Sequence, residues 1–118
     1  MNKTGADLIA DAKSRIVEIA SDQAQKLLAA GGVTFLDVRE RQEYNLGRIP
    51  GAIHMPRGAL EGKIEGVLSC DATVVVYCGG GSRSALAADT LRQMGYTKVS
   101  SLKGGYRDWA VGGGAVDE

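Results

Sequence analysis

Cys78 is followed by Gly79, Gly80 and Gly81, then by Ser82, Arg83 and Ser84. Just before it, Thr73-Val74-Val75-Val76-Tyr77 is a β-branched apolar run, which predicts a buried strand. Beyond it, Ala87, Leu91 and Met94 recur at i, i+4 and i+7, which predicts a helix. The thiol therefore stands at the carboxyl end of a strand and faces the amino end of a helix, where open α/β sheets place their ligand crevices. Residues without Cβ atoms let a loop turn successive N–H groups inward, and such groups form a concave nest for anions. The helix adds its own unpaired N–H groups and its dipole. A thiolate in that bowl is stabilised, so Cys78 is expected to ionise below the pKa of a free cysteine and to act as a nucleophile. Gly79, Gly80, Gly81, Ser82 and Arg83 are then the candidate anion-binding residues, with Ser84 as support. A lone cysteine is most often a small buried hydrophobe; the order strand, thiol, glycines, arginine, helix is what argues for chemistry.

Arg83 has two available roles. It either faces the substrate, or turns away to pair with an acidic group such as Asp37. The second is preferred, because a cation at a helix amino terminus meets an unfavourable dipole unless it is paired.

The elements that must position this loop fit one domain. The chain has 118 residues, enough for a single core. Its formal net charge is zero, which gives no reason to expect nucleic acid or an anionic membrane as partner. No apolar run is long enough to span a bilayer, and the first residues lack the apolar core of a signal peptide, so a cytoplasmic location is expected. Two cysteines and one histidine make neither a disulfide framework nor a metal-ligand set, and no cofactor is expected.

Taken in order, Leu8, Ile9, Ala12 and Ile16 predict a leading helix over about 4–15. Ile16–Ile19 reads as a short strand. Ser21 or Asp22 is expected to cap the next helix, with Gln25 completing a capping box and Gly31-Gly32 ending it. Val33–Val38 is the second clear strand. Asp37 and Arg39 lie at its carboxyl end, the same edge as Cys78 if the sheet is parallel, and a structural role by capping or pairing is expected for both. Glu40, Arg41 and Gln42 read as a solvated helical turn. A Pro50-Gly51 turn leads to a short strand, Ile53–Pro56, whose His54 reads as a hydrogen-bonded structural residue. Leu60, Ile64, Val67 and Leu68 predict an amphipathic helix over 58–68. Cys70 reads as an inert thiol. Lys98–Leu102 is the last strand, and Gly104–Trp109 turns into a closing helix with Trp109 packed and its N–H bonded. Alternating strands and helices make the class α/β with a mostly parallel sheet. The division expected is an N-terminal helical extension over 1–15, the domain over 16–111, and a flexible tail over 112–118.

Several segments resemble the rhodanese (sulfurtransferase) domain family. They are Leu36-Asp37-Val38-Arg39-Glu40, Glu43-Tyr44, Gly47 through Pro56, Tyr77-Cys78 with Gly81-Ser82-Arg83-Ser84, and Leu102 through Trp109. The resemblance implies a parallel five-stranded sheet flanked by helices and a persulfide-forming cysteine at Cys78. It also implies sulfur transfer from thiosulfate or a related small anionic donor to cyanide or a thiol. Two departures stand out. Arg48 occupies the usual histidine position before Ile-Pro-Gly-Ala, and Gly79 and Gly80 stand where polar or basic residues are common.

Three activities fit a loop of this kind. In a sulfurtransferase, the Cys78 thiolate takes the sulfane sulfur and an acceptor removes it. A sulfur-carrier or binding module would instead be loaded by a thiol-bearing partner protein. A cysteine-dependent phosphatase or arsenate reductase is disfavoured: only four residues separate Cys78 from Arg83, and the loop holds no acid to protonate a leaving group. The resemblance implies that relatives acting on phosphate use a loop one residue longer.

Overall fold

The computed structural model describes residues 2–118. Five strands alternate with helices: α1 (Gly5–Arg15), β1 (Val17–Ile19), α2 (Ser21–Ala30), β2 (Thr34–Asp37), α3 (Arg41–Leu46), β3 (Ile53–His54), α4 (Leu60–Lys63), β4 (Val74–Tyr77), α5 (Ser82–Gln93), β5 (Val99–Leu102) and α6 (Gly105–Val111). The strands form one sheet in the order β1-β5-β4-β2-β3, and every pairing is parallel. The strand that ends at Cys78 is thus the central one.

Centrality explains the composition of β4. Its four residues are all buried, because both faces of the sheet are covered by helices. Alternation then divides the core. Val74, Val76 and Cys78 pack with Leu36, Val38, Leu60, Ile64, Ala87 and Leu91 on the face of α4 and α5. Val75 and Tyr77 pack with Phe35, Ile19, Leu102 and Trp109 on the face of α2 and α6.

Three local expectations are corrected. The amphipathic run at 58–68 is not one helix: 3-10 turns at Arg57–Ala59 and Ile64–Gly66 flank the single α-turn of α4. Gly58, Gly62 and Gly66 recur every fourth residue and weaken a continuous helix, while Leu60 and Ile64 still reach the core. α2 begins after Ala20, so neither Ser21 nor Asp22 caps it, and the Ser21 hydroxyl instead accepts from Gln25 Nε2. The segment 112–118, expected to hang loosely, is tied at two places. Trp109 Nε1 donates to the Ala115 carbonyl, and Asp117 forms an antiparallel bridge with Arg48. The leading helix α1 lies on α5, where Arg15 makes a bidentate pair with the buried Asp89.

Asp37 and Arg39 bond to each other at the carboxyl edge of β2. Arg39 Nε and Nη2 donate to the Asp37 carboxylate at 2.7–3.1 Å, and Nη2 also donates to the Gly47 carbonyl at 2.7 Å. Both side chains are almost wholly buried. The guanidinium lies over the Tyr106 ring at 4.4 Å and near Tyr77 at 5.5 Å. Removing one partner leaves a buried charge uncompensated. Arg39→Met and Asp37→Asn should each lower unfolding stability by about 3–5 kcal/mol, read from urea denaturation; a loss below about 1 kcal/mol in both would show that water replaces the missing partner.

Candidate functional site

Cys78 is the first residue beyond β4, and it is 1% exposed. Burial works against a charged sulfur and pushes the thiol pKa up. The Ser84 hydroxyl, 3.5 Å from Sγ, opposes it, as do the N–H groups of Ser84 at 3.3 Å and Gly81 at 3.1 Å. The Gly80 N–H adds a weaker contribution without reaching hydrogen-bond geometry. The donors win, and the thiol lies below its ordinary value. Ser84 is the third residue of α5, so its N–H is one of those the helix leaves unpaired.

The glycines do unequal work. Gly81 caps α5 with φ of +104°, and a Cβ there would approach the Gly104 nitrogen to 3.3 Å. Gly80 has an ordinary negative φ, and a Cβ on it would meet nothing. Of the three consecutive glycines expected to shape the bowl, only Gly81 has a backbone conformation that calls for glycine, while a Cβ on Gly79 would press to 3.1 Å on Arg83 Nη2. A second requirement comes from another part of the chain. The N–H groups of Tyr106 and Arg107 donate to the carbonyls of Cys78 and Gly79 at 2.7 and 3.1 Å. That grip turns the loop's carbonyls outward, toward α6. It needs Gly105, whose Cβ would lie 2.5 Å from the Cys78 carbonyl oxygen.

Arg83 pairs with an acidic group, as preferred above, but its partner is Glu43 and not Asp37, which Arg39 occupies. The pair is bidentate at 2.7 and 3.0 Å, with the arginine side chain 39% and the glutamate 37% exposed. Glu43 Oε1 also accepts from the Glu40 N–H at the start of α3, so the carboxylate is held from two sides. Arg83 first, and that N–H after it, hold the Glu43 carboxyl down at about 2. His54 Nε2–H donates to the Arg39 carbonyl, 2.8 Å away, and the ring stacks on Tyr44. Ser82 is exposed at the loop rim. Cys70 is exposed before β4, at the other end of the strand from Cys78.

Residue types alone did not reveal Glu43, Gly105 or Ser101, whose hydroxyl lies 2.8 Å from that of Ser84. Glu43 has a signal, being three residues after Glu40 in capping-box spacing. Two clefts, of about 100 and 210 Å³, lie away from Cys78.

The rhodanese-like domain model matches residues 20–111. This chain belongs to that family. The rhodanese-like domain is 34% identical over 108 residues to YrkF of Bacillus subtilis (strain 168), whose name proposes a sulfur carrier protein; the match takes 91% of this chain and 58% of YrkF. The chain therefore spans less than two thirds of that relative's length. It is 31% identical to the human thiosulfate:glutathione sulfurtransferase, over 77% of this chain and 90% of that protein. Among solved structures, RPA3614 of Rhodopseudomonas palustris superposes with a TM-score of 0.90 at 31% identity, covering 99% of this chain and 96% of that one. RPA3614 is described as of unknown function and as a candidate tyrosine phosphatase.

Two predictions come from this geometry. In a Cys70→Ser background, iodoacetamide alkylation of Cys78 should show a midpoint below the ~8.5 of a free cysteine. Gly80→Ala should leave it in place, while Gly81→Ala should raise it, because only Gly81 needs a left-handed backbone. Equal responses of the two variants would mean that loop flexibility, and not one backbone conformation, aims the donors.

Glu43→Gln should lower stability at neutral pH by up to about 1 kcal/mol, since the pair is more than a third exposed. The Glu43 pKa is depressed on folding, so its contribution is full above the ordinary carboxylate value of 4.5 and fades as pH falls toward about 2. The gap between the urea midpoints of the two proteins should therefore hold from pH 7 down to about 4.5 and narrow from there toward about pH 2; a constant gap would show that the pairing does not depend on the carboxylate's charge.

Proposed function

We propose that this rhodanese-like domain carries sulfane sulfur as a Cys78 persulfide, taking it from a thiol-borne donor and passing it to a thiol acceptor. The observation that supports this most is the direction of the donors. The N–H groups of Gly81 and Ser84 donate to Sγ itself, and the Ser84 hydroxyl beside it is free to donate once the thiol has lost its proton. They favour the thiolate that attacks, and they oppose burial where a persulfide would again bring negative charge.

The chemistry balances with no added oxidant. The Cys78 thiolate attacks the outer sulfur of R–S–SH, the S–S bond of the donor breaks, and RS⁻ leaves with the bonding pair. An acceptor thiolate then attacks the outer sulfur of Cys78–S–SH, and Cys78 departs as the thiolate it was. With thiosulfate as donor, sulfite is the leaving group; with cyanide as acceptor, thiocyanate is the product. No general base is required, because the thiol is already inclined to ionise.

The carrier reading is favoured over a thiosulfate:cyanide transferase by the loop's cation. Arg83 is committed to Glu43, and Gly79 and Gly80 offer no side chain, so a free dianion meets no unpaired positive charge from the loop's own residues. A thiol-borne donor carries less charge and needs less of it. The similarity to YrkF points the same way, and the similarity to the human thiosulfate:glutathione sulfurtransferase keeps a small thiol among the acceptors. A phosphatase, as suggested for RPA3614, needs the arginine on its phosphate and an acid beside the leaving group. Here Arg83 is committed to Glu43, and residues 78–84 include no acid.

Incubation with glutathione persulfide should add one sulfur to the chain by intact mass, and thiosulfate should load it more slowly. Cys78→Ser should abolish the adduct and Cys70→Ser should keep it. An adduct surviving in Cys78→Ser, or Cys78-dependent hydrolysis of p-nitrophenyl phosphate without sulfur loading, would overturn the proposal.

A further inference from the structure

Ser84, whose hydroxyl is the side-chain partner of Cys78 Sγ, is itself hydrogen bonded to a second side chain. Its Oγ lies 2.8 Å from Oγ of Ser101, and both serines are fully buried. Ser101 is on β5, in register with Val76 of β4. Side chains in register on neighbouring strands point to the same face, so Ser101 projects toward α5, as do Val76 and, two residues on, Cys78. Sγ, Ser84 Oγ and Ser101 Oγ form a line running from the site into an otherwise apolar layer of Leu36, Val76 and Ala87. A buried hydroxyl is costly unless it is bonded, and the partner recorded for the Ser101 hydroxyl is Ser84.

We propose that Ser101 is a positioning residue for Cys78, setting the direction in which the Ser84 hydroxyl points as the sulfur changes charge. A thiolate has no proton and only accepts. Ser84 must then donate to Sγ, which leaves its oxygen free to accept from Ser101. When Sγ carries a proton the line reverses: S–H donates to Ser84, and Ser84 donates to Ser101. The thiolate state uses both hydroxyl protons, whereas the thiol state leaves the Ser101 O–H without an acceptor among its described contacts, so the line itself favours the charged sulfur. The two states interchange by rotation of two O–H bonds, with no proton leaving either oxygen. The proton lost on ionisation goes to solvent. In the thiolate state the Ser101 donor polarises the Ser84 hydroxyl and strengthens its bond to sulfur. The charged groups around the line are Arg83 on α5, held by Glu43, and Glu18 on β1, the register neighbour of Ser101, with one buried and unpaired carboxylate oxygen. Among the described residues neither is hydrogen bonded to either serine.

This role rests on Cys78 acting as a thiolate, the reading given above. The test is a double-mutant cycle on the alkylation midpoint of Cys78 in the Cys70→Ser background, comparing the parent, Ser101→Ala, Ser84→Ala and the double variant. Ser84→Ala should raise the midpoint most. Ser101→Ala should raise it by about half a pH unit or less, the size of a polarisation effect. On Ser84→Ala, adding Ser101→Ala should raise it no further. An unchanged midpoint in Ser101→Ala, or an equal rise in both backgrounds, would overturn the proposal. A residue that only fills space would move the urea midpoint and leave the alkylation midpoint alone. Loading the same four proteins with glutathione persulfide separates the two readings: midpoints that follow the cycle without sulfur uptake sink the carrier function and support the role of Ser101.

Discussion

A sulfur that is 1% exposed can hold negative charge only if donors replace the water it has lost. Much of this chain's architecture can be understood as meeting that condition. The central strand buries Cys78 on the α5 face, the first turn of α5 supplies the Ser84 N–H and hydroxyl, and a left-handed Gly81 supplies the third donor. The loop does not hold that shape by itself. Two N–H groups at the start of α6 grip the carbonyls of Cys78 and Gly79, so helix termini act on both sides of one short loop: α5 on its sulfur, α6 on its backbone oxygens.

The carboxyl edge of the sheet carries a second set of charges, among them two paired arginines. Arg39 fills the space between Asp37, the Gly47 carbonyl and two tyrosine rings, tying β2 to the loop before β3 and to α6. Arg83 is fastened to α3 through Glu43. Burial also pushes the Tyr77 phenol well up, so it stays neutral while accepting the Ile49 N–H. The consequence is a loop whose pull on negative charge comes from oriented N–H groups more than from an unpaired cation.

Class, strand positions and the place of Cys78 at a strand's carboxyl end were legible in the residues, because each has a short-range cause. β-branched runs predict β2 and β4, and a cysteine between such a run and an apolar helix period stands at a strand's carboxyl end whatever else the chain does. The helix expected at 58–68 failed for an equally local reason: apolar spacing was right, but three glycines at every fourth position outweighed it. The glycines after Cys78 misled in the other direction, since composition cannot say which of three neighbours adopts a positive φ.

What the sequence by itself determined is therefore the parallel α/β sheet, the place of Cys78 in it and the helix amino terminus facing it, all set by periodicity and order along the chain. Only the tertiary structure decided that Glu43 and not Asp37 takes Arg83, that Gly105 must lack a side chain, and that Ser101 stands behind Ser84. These contacts join residues 40, 27 and 17 positions apart. They depend on strand register and on helix packing against the sheet, which bring side chains together through space, and no spacing along a single element encodes them.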